Sequence, residues 1–220
     1  QGDNGTTLTL GGMTASGEDG VNELTWVVLR VAKDVGLIDP KINLRVSADI
    51  SLELLEQATE LTRKGLGFPQ YSNDDVVIPA LVAHGYAQED ARNYTVAACW
   101  EFIIPGKGME IVNIGAVSFP HAVDDAIRTS LAAGEGFESI RQQVKRNIQD
   151  QVDQLVERYE PLFLPPAVYY SVLMDGCIEE GSDLSAGLRY NNFGIHGAAS
   201  ANAADALAAV KQFVFGEKSL

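Results

Sequence analysis

From Val21 to Val35 the apolar residues Leu24, Val27, Val28, Val31, Ala32 and Val35 recur every three or four positions, which predicts a helix with one buried face, and Gly36 offers a left-handed stop. The alternation Ile42, Leu44, Val46 after Pro40 predicts a short strand, and Ser51 is placed to cap a second helix ending near Gly65. A breaker cluster at Gly65-Leu66-Gly67-Phe68-Pro69 separates these from a short helix around Pro79 to His84. A helical turn at Gln88 to Asn93 and a buried strand from Tyr94 to Trp100 come next. Pro105-Gly106-Lys107-Gly108 turns the chain into a second strand from Met109 to Phe119, so the two strands make either a hairpin or two strands of a barrel. A stripe of Phe137, Ile140, Val144, Ile148, Val152, Leu155 and Tyr159 predicts one long helix with polar residues on its other faces. After Pro165-Pro166 the pattern gives a buried helix over Val168 to Cys177, a short strand over Tyr190 to Ile195, and an alanine-rich helix capped by Ser200 and reaching Phe215. Strand and helix alternate throughout, which points to an α/β fold with a largely parallel sheet, open or closed into a barrel.

Composition narrows the function. With 30 acidic against 16 basic side chains, a net charge of -14, and no basic stripe, the chain is unsuited to a nucleic-acid partner. No apolar run approaches the roughly 20 residues that span a bilayer, so no membrane role is expected. The two cysteines, Cys99 and Cys177, stand apart in apolar surroundings without zinc-type spacing. That argues against a disulfide framework or a metal site and fits a reducing cytoplasm. The chain opens on Gln1 and reads as a piece of a longer polypeptide.

In Cys99-Trp100-Glu101 an i, i+2 spacing on extended backbone sets a thiol and a carboxylate on one side of the chain, where they face one pocket or form a core cysteine beside a strand-end glutamate. A cysteine hydrolase using His84, His121 or His196 finds no local signature. Gly11-Gly12 permits close backbone approach or a turn, Gly17 to Gly20 carries no phosphate-loop pattern, and Asn73-Asp74-Asp75 reads as a solvated helix N-terminus.

Taken in order, several motifs resemble the glycyl radical enzymes, the family that includes pyruvate formate-lyase, and within it the dehydratase and lyase branch. They are Thr7-Leu8-Thr9-Leu10-Gly11-Gly12 with Asn22-Glu23-Leu24-Thr25, Asp39-Pro40 with Arg45-Val46, and Gly67-Phe68-Pro69 with Asn73-Asp74. Glu89-Asp90-Ala91-Arg92-Asn93-Tyr94 then leads into Cys99-Trp100-Glu101, and Tyr190-Asn191 runs through Gly197 to the segment Asn202 to Lys211. The resemblance covers almost the whole chain and implies a ten-stranded α/β barrel with surrounding helices. Residues 1–220 would form a single segment of that barrel, lacking its N-terminal part and the C-terminal glycyl radical domain.

The resemblance further implies that Cys99 becomes the thiyl radical that abstracts a substrate hydrogen. Glu101 would be the general base on a substrate hydroxyl, a task that suits a carboxylate in a water-excluding interior. Thr7, Thr9, Trp100, Asn113 and Ser118 are candidate substrate-binding residues. No cofactor and no metal would be bound in this segment. The glycyl radical would lie elsewhere in the full chain and be installed by a radical S-adenosylmethionine activating enzyme, and the full-length protein would be a cytoplasmic homodimer acting on a small molecule. Two departures shape the substrate expectation: Ala98 precedes Cys99 where pyruvate formate-lyase has a second cysteine, and Phe102-Ile103-Ile104-Pro105 follows Glu101 where many dehydratases have Pro-Gln. The expected reaction is a radical dehydration or C–N or C–S cleavage of a small polar substrate. The alternatives are radical decarboxylation of an arylacetate, with Trp100, Phe102 and Tyr71 forming an aromatic pocket, and a non-catalytic fragment or interaction subunit.

Overall fold

The computed structural model describes residues 6–97 and 100–216. In chain order the elements are β1 (Thr7–Gly11), α1 (Glu23–Val35), β2 (Lys41–Val46), α2 (Leu52–Thr62), β3 (Gln70–Asn73), α3 (Asp74–Ala83), α4 (Gln88–Arg92), β4 (Thr95–Ala97) and β5 (Glu101–Ile103). They continue with β6 (Gly108–Ser118), α5 (Phe119–Ala132), α6 (Phe137–Tyr159), α7 (Val168–Ser171), α8 (Cys177–Glu180), α9 (Leu184–Gly187), β7 (Tyr190–Ala198) and α10 (Ser200–Phe213). The chain divides into two compact units, residues 1–109 with 167–191 and residues 110–166 with 192–220.

The first unit is built on the parallel sheet β1-β2-β3. Its helices start and stop where local chemistry directs. Asn22 caps α1 in a reciprocal capping box with Thr25, Gly36 ends that helix in the left-handed region, and Ser51 Oγ accepts a hydrogen bond from Leu54 N at the start of α2. Helices α1 and α2 cover one sheet face, closing a core of Leu29, Ile42, Leu44, Leu54, Ala58 and Leu61. Strand β2 is central, and Asn43 and Arg45 on its other face are buried as well, so the alternation in the sequence does not mark a water-facing side. A second core gathers Tyr94, Val96, Ile104 and Tyr190 with Val77, Leu81 and Phe102 around the antiparallel pair β4-β5.

In the second unit, β6 pairs with β7, and α5, α6 and α10 close a core of Val123, Ala126, Ile140, Val144 and Ala203. Asn147 Nδ2 of α6 donates to Ala122 O, and Gln151 Oε1 accepts from Ser118 N.

Four expectations change. The run Tyr94 to Trp100 is not one strand: β4 ends at Ala97, which pairs with Glu101, and Trp100 is a turn residue. Helix α3 begins at Asp74, well before Pro79, because Asn73 Oδ1 accepts from Asp75 N and starts the helix there. The segment Val168 to Cys177 is not one helix: α7 ends at Ser171 and α8 begins only at Cys177, and Val168, Tyr169, Tyr170 and Leu173 are exposed. Asp175 N donates to Gly106 O at 2.8 Å instead of continuing the helical ladder, and Gly176 has a φ of 90°, so the helix stops before Cys177. Finally, Ser200 is the first residue of α10. The cap position belongs to Ala199, in the left-handed region with no side-chain hydrogen bond.

Candidate active site

The face of β1-β2-β3 away from α1 and α2 is polar. The parallel register sets Thr9 beside Asn43 and Asn43 beside Gln70, and Gly11 beside Arg45 and Arg45 beside Ser72. Strand β4 lies against this face through hydroxyls: Thr7 Oγ1 donates to Val96 O at 3.1 Å, Val96 N donates to Thr9 Oγ1 at 3.3 Å, and Thr9 Oγ1 meets Thr95 Oγ1 at 2.5 Å. Thr7 and Thr9 thus join β1 to the strand that leads into Cys99-Trp100-Glu101. Nearby, both amide atoms of Asn43, Oε1 of Gln70 and Oγ of Ser72 are buried with no hydrogen-bond partner among the described residues. Groups of this kind are ordinarily met by ordered water.

Arg45, only 5% exposed, is the hub of this face. Its Nε and Nη2 each donate to Asp74 at 2.8 Å in a bidentate pair, and Nη2 also donates to Arg92 O at 2.8 Å. Nη1 donates to Met13 O and Tyr94 O. Tyr94 Oη donates to Asp74 Oδ1 at 2.7 Å, and the guanidinium stacks 4.0 Å above the Tyr94 ring. Burial, followed by the hydrogen bond to Asp74, pushes the Tyr94 phenol well above its ordinary range, so it stays protonated as a donor. Gly12 makes room for the guanidinium: a Cβ there would stand 2.4 Å from Arg45 Nε, and its φ of 76° is a glycine conformation. The close approach at Gly11-Gly12 is therefore to Arg45, and Asp74 is a buried counter-ion at 3% exposure, not part of a solvated helix end.

A second buried carboxylate, Asp90 of α4, accepts from Lys107 Nζ at 2.5 Å and Tyr190 Oη at 2.8 Å, with Arg189 Nη1 at 3.1 Å. Burial alone would raise its pKa, but the hydrogen bonds from Lys107 and Tyr190 and the two cationic charges outweigh that and hold it below the usual carboxylate range. The same bond raises the Lys107 ammonium.

Cys99 lies outside the described residues, in the sequence between Ala97 and Glu101, which face one another across the β4-β5 pair. Glu101 is half-buried at the start of β5, and its Oε2 accepts from Trp100 N at 3.0 Å. The indole of Trp100 is 52% exposed. The other two aromatic candidates are engaged elsewhere, Phe102 edge-on against Tyr94 and Tyr71 through its hydroxyl to Thr62. In the second unit, Asn113 has a φ of 61° and hydrogen-bonds through Oδ1 to His196 Nε2, and Ser118 is the N-cap of α5, its Oγ accepting from His121 N. Among the described residues no group of three or more His, Cys, Asp or Glu side chains could hold a metal ion.

Residue patterns alone assign no role to Arg45, Asp74, Asp90, Lys107 or Tyr190. Most of them fall within the stretches that carry the family resemblance, and that was the available signal.

The family model described as pyruvate formate lyase-like matches residues 1–220. The chain belongs to the pyruvate formate lyase-like family. It is 28% identical over 235 residues to a (2S)-3-sulfopropanediol dehydratase of Klebsiella oxytoca, covering 97% of this chain and 28% of that protein. It is 28% identical over 232 residues to a trans-4-hydroxy-L-proline dehydratase of Clostridioides difficile, covering 96% and 29%. The glycerol-bound structure of the B12-independent glycerol dehydratase of Clostridium butyricum superposes on 97% of this chain and 30% of its own length, with a TM-score of 0.82 and 29% identity. The chain therefore spans under a third of the length of these relatives, and its mixed α/β fold is a segment of the pyruvate formate lyase-like barrel.

Proposed function

We propose that this chain carries the hydrogen-abstracting cysteine and the proton-accepting carboxylate of a glycyl radical dehydratase, or of a C–N or C–S lyase, acting on a small polar substrate. The observation that carries the reading is the β4-β5 pair, in which Ala97 and Glu101 are cross-strand partners and Cys99 is one of the three residues between them. The names of the two dehydratase relatives support the substrate class, since both describe small hydroxylated compounds.

A glycyl radical installed by a radical S-adenosylmethionine enzyme would supply the unpaired electron to Cys99. From there this chain's residues act. The Cys99 sulfur takes a hydrogen atom from the carbinol carbon, forming S–H and leaving a carbon radical. Glu101 accepts the hydroxyl proton as the neighbouring group departs with its bonding pair, so proton and anion leave together and a carbonyl-stabilised radical remains. The S–H bond then returns its hydrogen atom to that radical. Asn113, Ser118 and Trp100 remain substrate-contact proposals, and Thr7 and Thr9 serve the strand that leads to the site. A cytoplasmic homodimer is the assembly proposed for the complete polypeptide.

The test is Glu101→Gln in the complete polypeptide, activated anaerobically. Radical content by electron paramagnetic resonance stays at the wild-type level, while turnover of diols and hydroxylated amino acids falls roughly a hundredfold or more. Unchanged turnover removes Glu101 from the mechanism. A wild-type protein that forms no radical supports the non-catalytic alternative.

A further inference from the structure

In the second unit, strands β6 and β7 carry a polar group of their own. A Cβ on Gly115 would stand 2.4 Å from Leu155 of α6, and one on Gly197 would stand 2.5 Å from Phe119 at the start of α5, so these glycines mark the sides of the strands that lie against helices. Neighbours along a strand point to opposite sides. His196, beside Gly197, therefore points away from α5, and Asn192 shares its side. Asn192 Nδ2 donates to Glu110 Oε1 at 2.7 Å across the two strands, which makes this side polar. In an α/β barrel the helices lie outside, so a strand face turned away from them looks into the interior.

Asn113 breaks the alternation. Two residues before Gly115, on a regular strand it would share that residue's side and point at α6. Its φ of 61° turns it out of that place, and its Oδ1 meets His196 Nε2. A left-handed residue inside a strand is strained, asparagine bears that strain better than most side chains, and such strain is kept where a side chain has to be aimed. An amide oxygen only accepts, so Nε2 is the protonated ring nitrogen and donates. The Asn113 Nδ2 group makes no hydrogen bond to any described residue, and both side chains are exposed, so its donors can be reached.

We propose that His196 is a positioning residue for Asn113: it holds the amide oxygen so that the Nδ2 hydrogens are presented to an oxygen of the substrate. The inference rests on the reading of Asn113 as a substrate contact for its effect on turnover, but not for its geometry. Without the imidazole, the amide is free to rotate about its own side-chain bonds, and the strained backbone at Asn113 no longer fixes where its donors point.

The experiment uses the complete polypeptide, with glycerol, 1,2-propanediol and trans-4-hydroxy-L-proline as the compounds tried. In the activated protein, His196→Ala raises KM roughly tenfold while kcat per radical stays within about twofold, because the aim of one neutral hydrogen bond is lost in ground state and transition state alike. His196→Gln, whose side-chain N–H can donate to the same oxygen, restores KM. Asn113→Ala raises KM at least as much, and His196→Ala added to it changes nothing further, since His196 acts only through the amide. Crystal structures of the unactivated protein follow the geometry: the Asn113 amide is displaced in His196→Ala and in place in His196→Gln. Wild-type KM in His196→Ala overturns the proposal, and so does a raised KM that His196→Gln fails to restore. A KM that rises with the Asn113 amide unmoved, or an additive rise in the double variant, gives His196 a contact of its own and overturns it too. If the wild-type protein turns over none of these compounds, the substrate reading fails and the crystal structures alone decide whether His196 holds Asn113.

Discussion

At the scale of single residues, the structure turns several polar side chains into fixed partners of the backbone. Asp183 is the plainest case: its carboxylate accepts hydrogen bonds from Ser185 N, Ser171 Oγ, Ser185 Oγ and Ala167 N, which hold its pKa down to about 2. An unfolded aspartate titrates near about 4. Because the folded value is the lower one, the stabilisation is complete above about pH 4 and is lost as pH falls through about 2. Asp183→Asn is expected to unfold more readily than wild type at neutral pH, with the gap narrowing as the pH is lowered through that window. Thermal unfolding followed across pH checks it, and a gap that does not depend on pH removes the ionised carboxylate from the account. Glu101 belongs to the same scale, since its predicted role rests on one carboxylate at one strand end. The i, i+2 spacing in the sequence identified that carboxylate, but the backbone expected to carry it was extended, and Trp100 is in a turn.

At the scale of elements, the caps were legible and their reach was not. Ser51 was expected to start α2 and does, so Ser51→Ala should cost about 1 kcal/mol locally. Hydrogen exchange at the first-turn amides of α2, Leu54 in particular, should then quicken by about fivefold. Asn73 was read as part of a helix N-terminus, but α3 also buries Asp74 beneath it, and no local pattern announces an arginine 29 positions upstream as its partner. The hairpin was hidden for a related reason. Tyr94 to Trp100 is an apolar run of strand length, and only cross-strand pairing shows that it folds back at Ala97.

For the molecule as a whole, two compact units have separate cores, one under α1 and α2 with a companion around Tyr94, the other between α5, α6 and α10. Leu44→Ala removes a fully buried side chain from the first and should cost about 2–5 kcal/mol there. Exchange protection should fall across β1, β2 and α1 well before it falls in α5 and α6. Equal loss in both units would mean that they unfold as one.

The sequence by itself determined where most helices lie, which residues start them, the α/β alternation, and the family. These follow from periodicity, capping chemistry and motif order, all of which act over a few residues. Only the tertiary structure decided that Arg45 and Asp74 are a buried pair, that Thr7 and Thr9 are ties to β4, that Asp90 meets Lys107, and that the helix begun at Val168 stops at Ser171 with its large apolar side chains exposed. Each of those outcomes depends on groups distant in the chain, Gly106 O meeting Asp175 N among them, and a local pattern does not carry them.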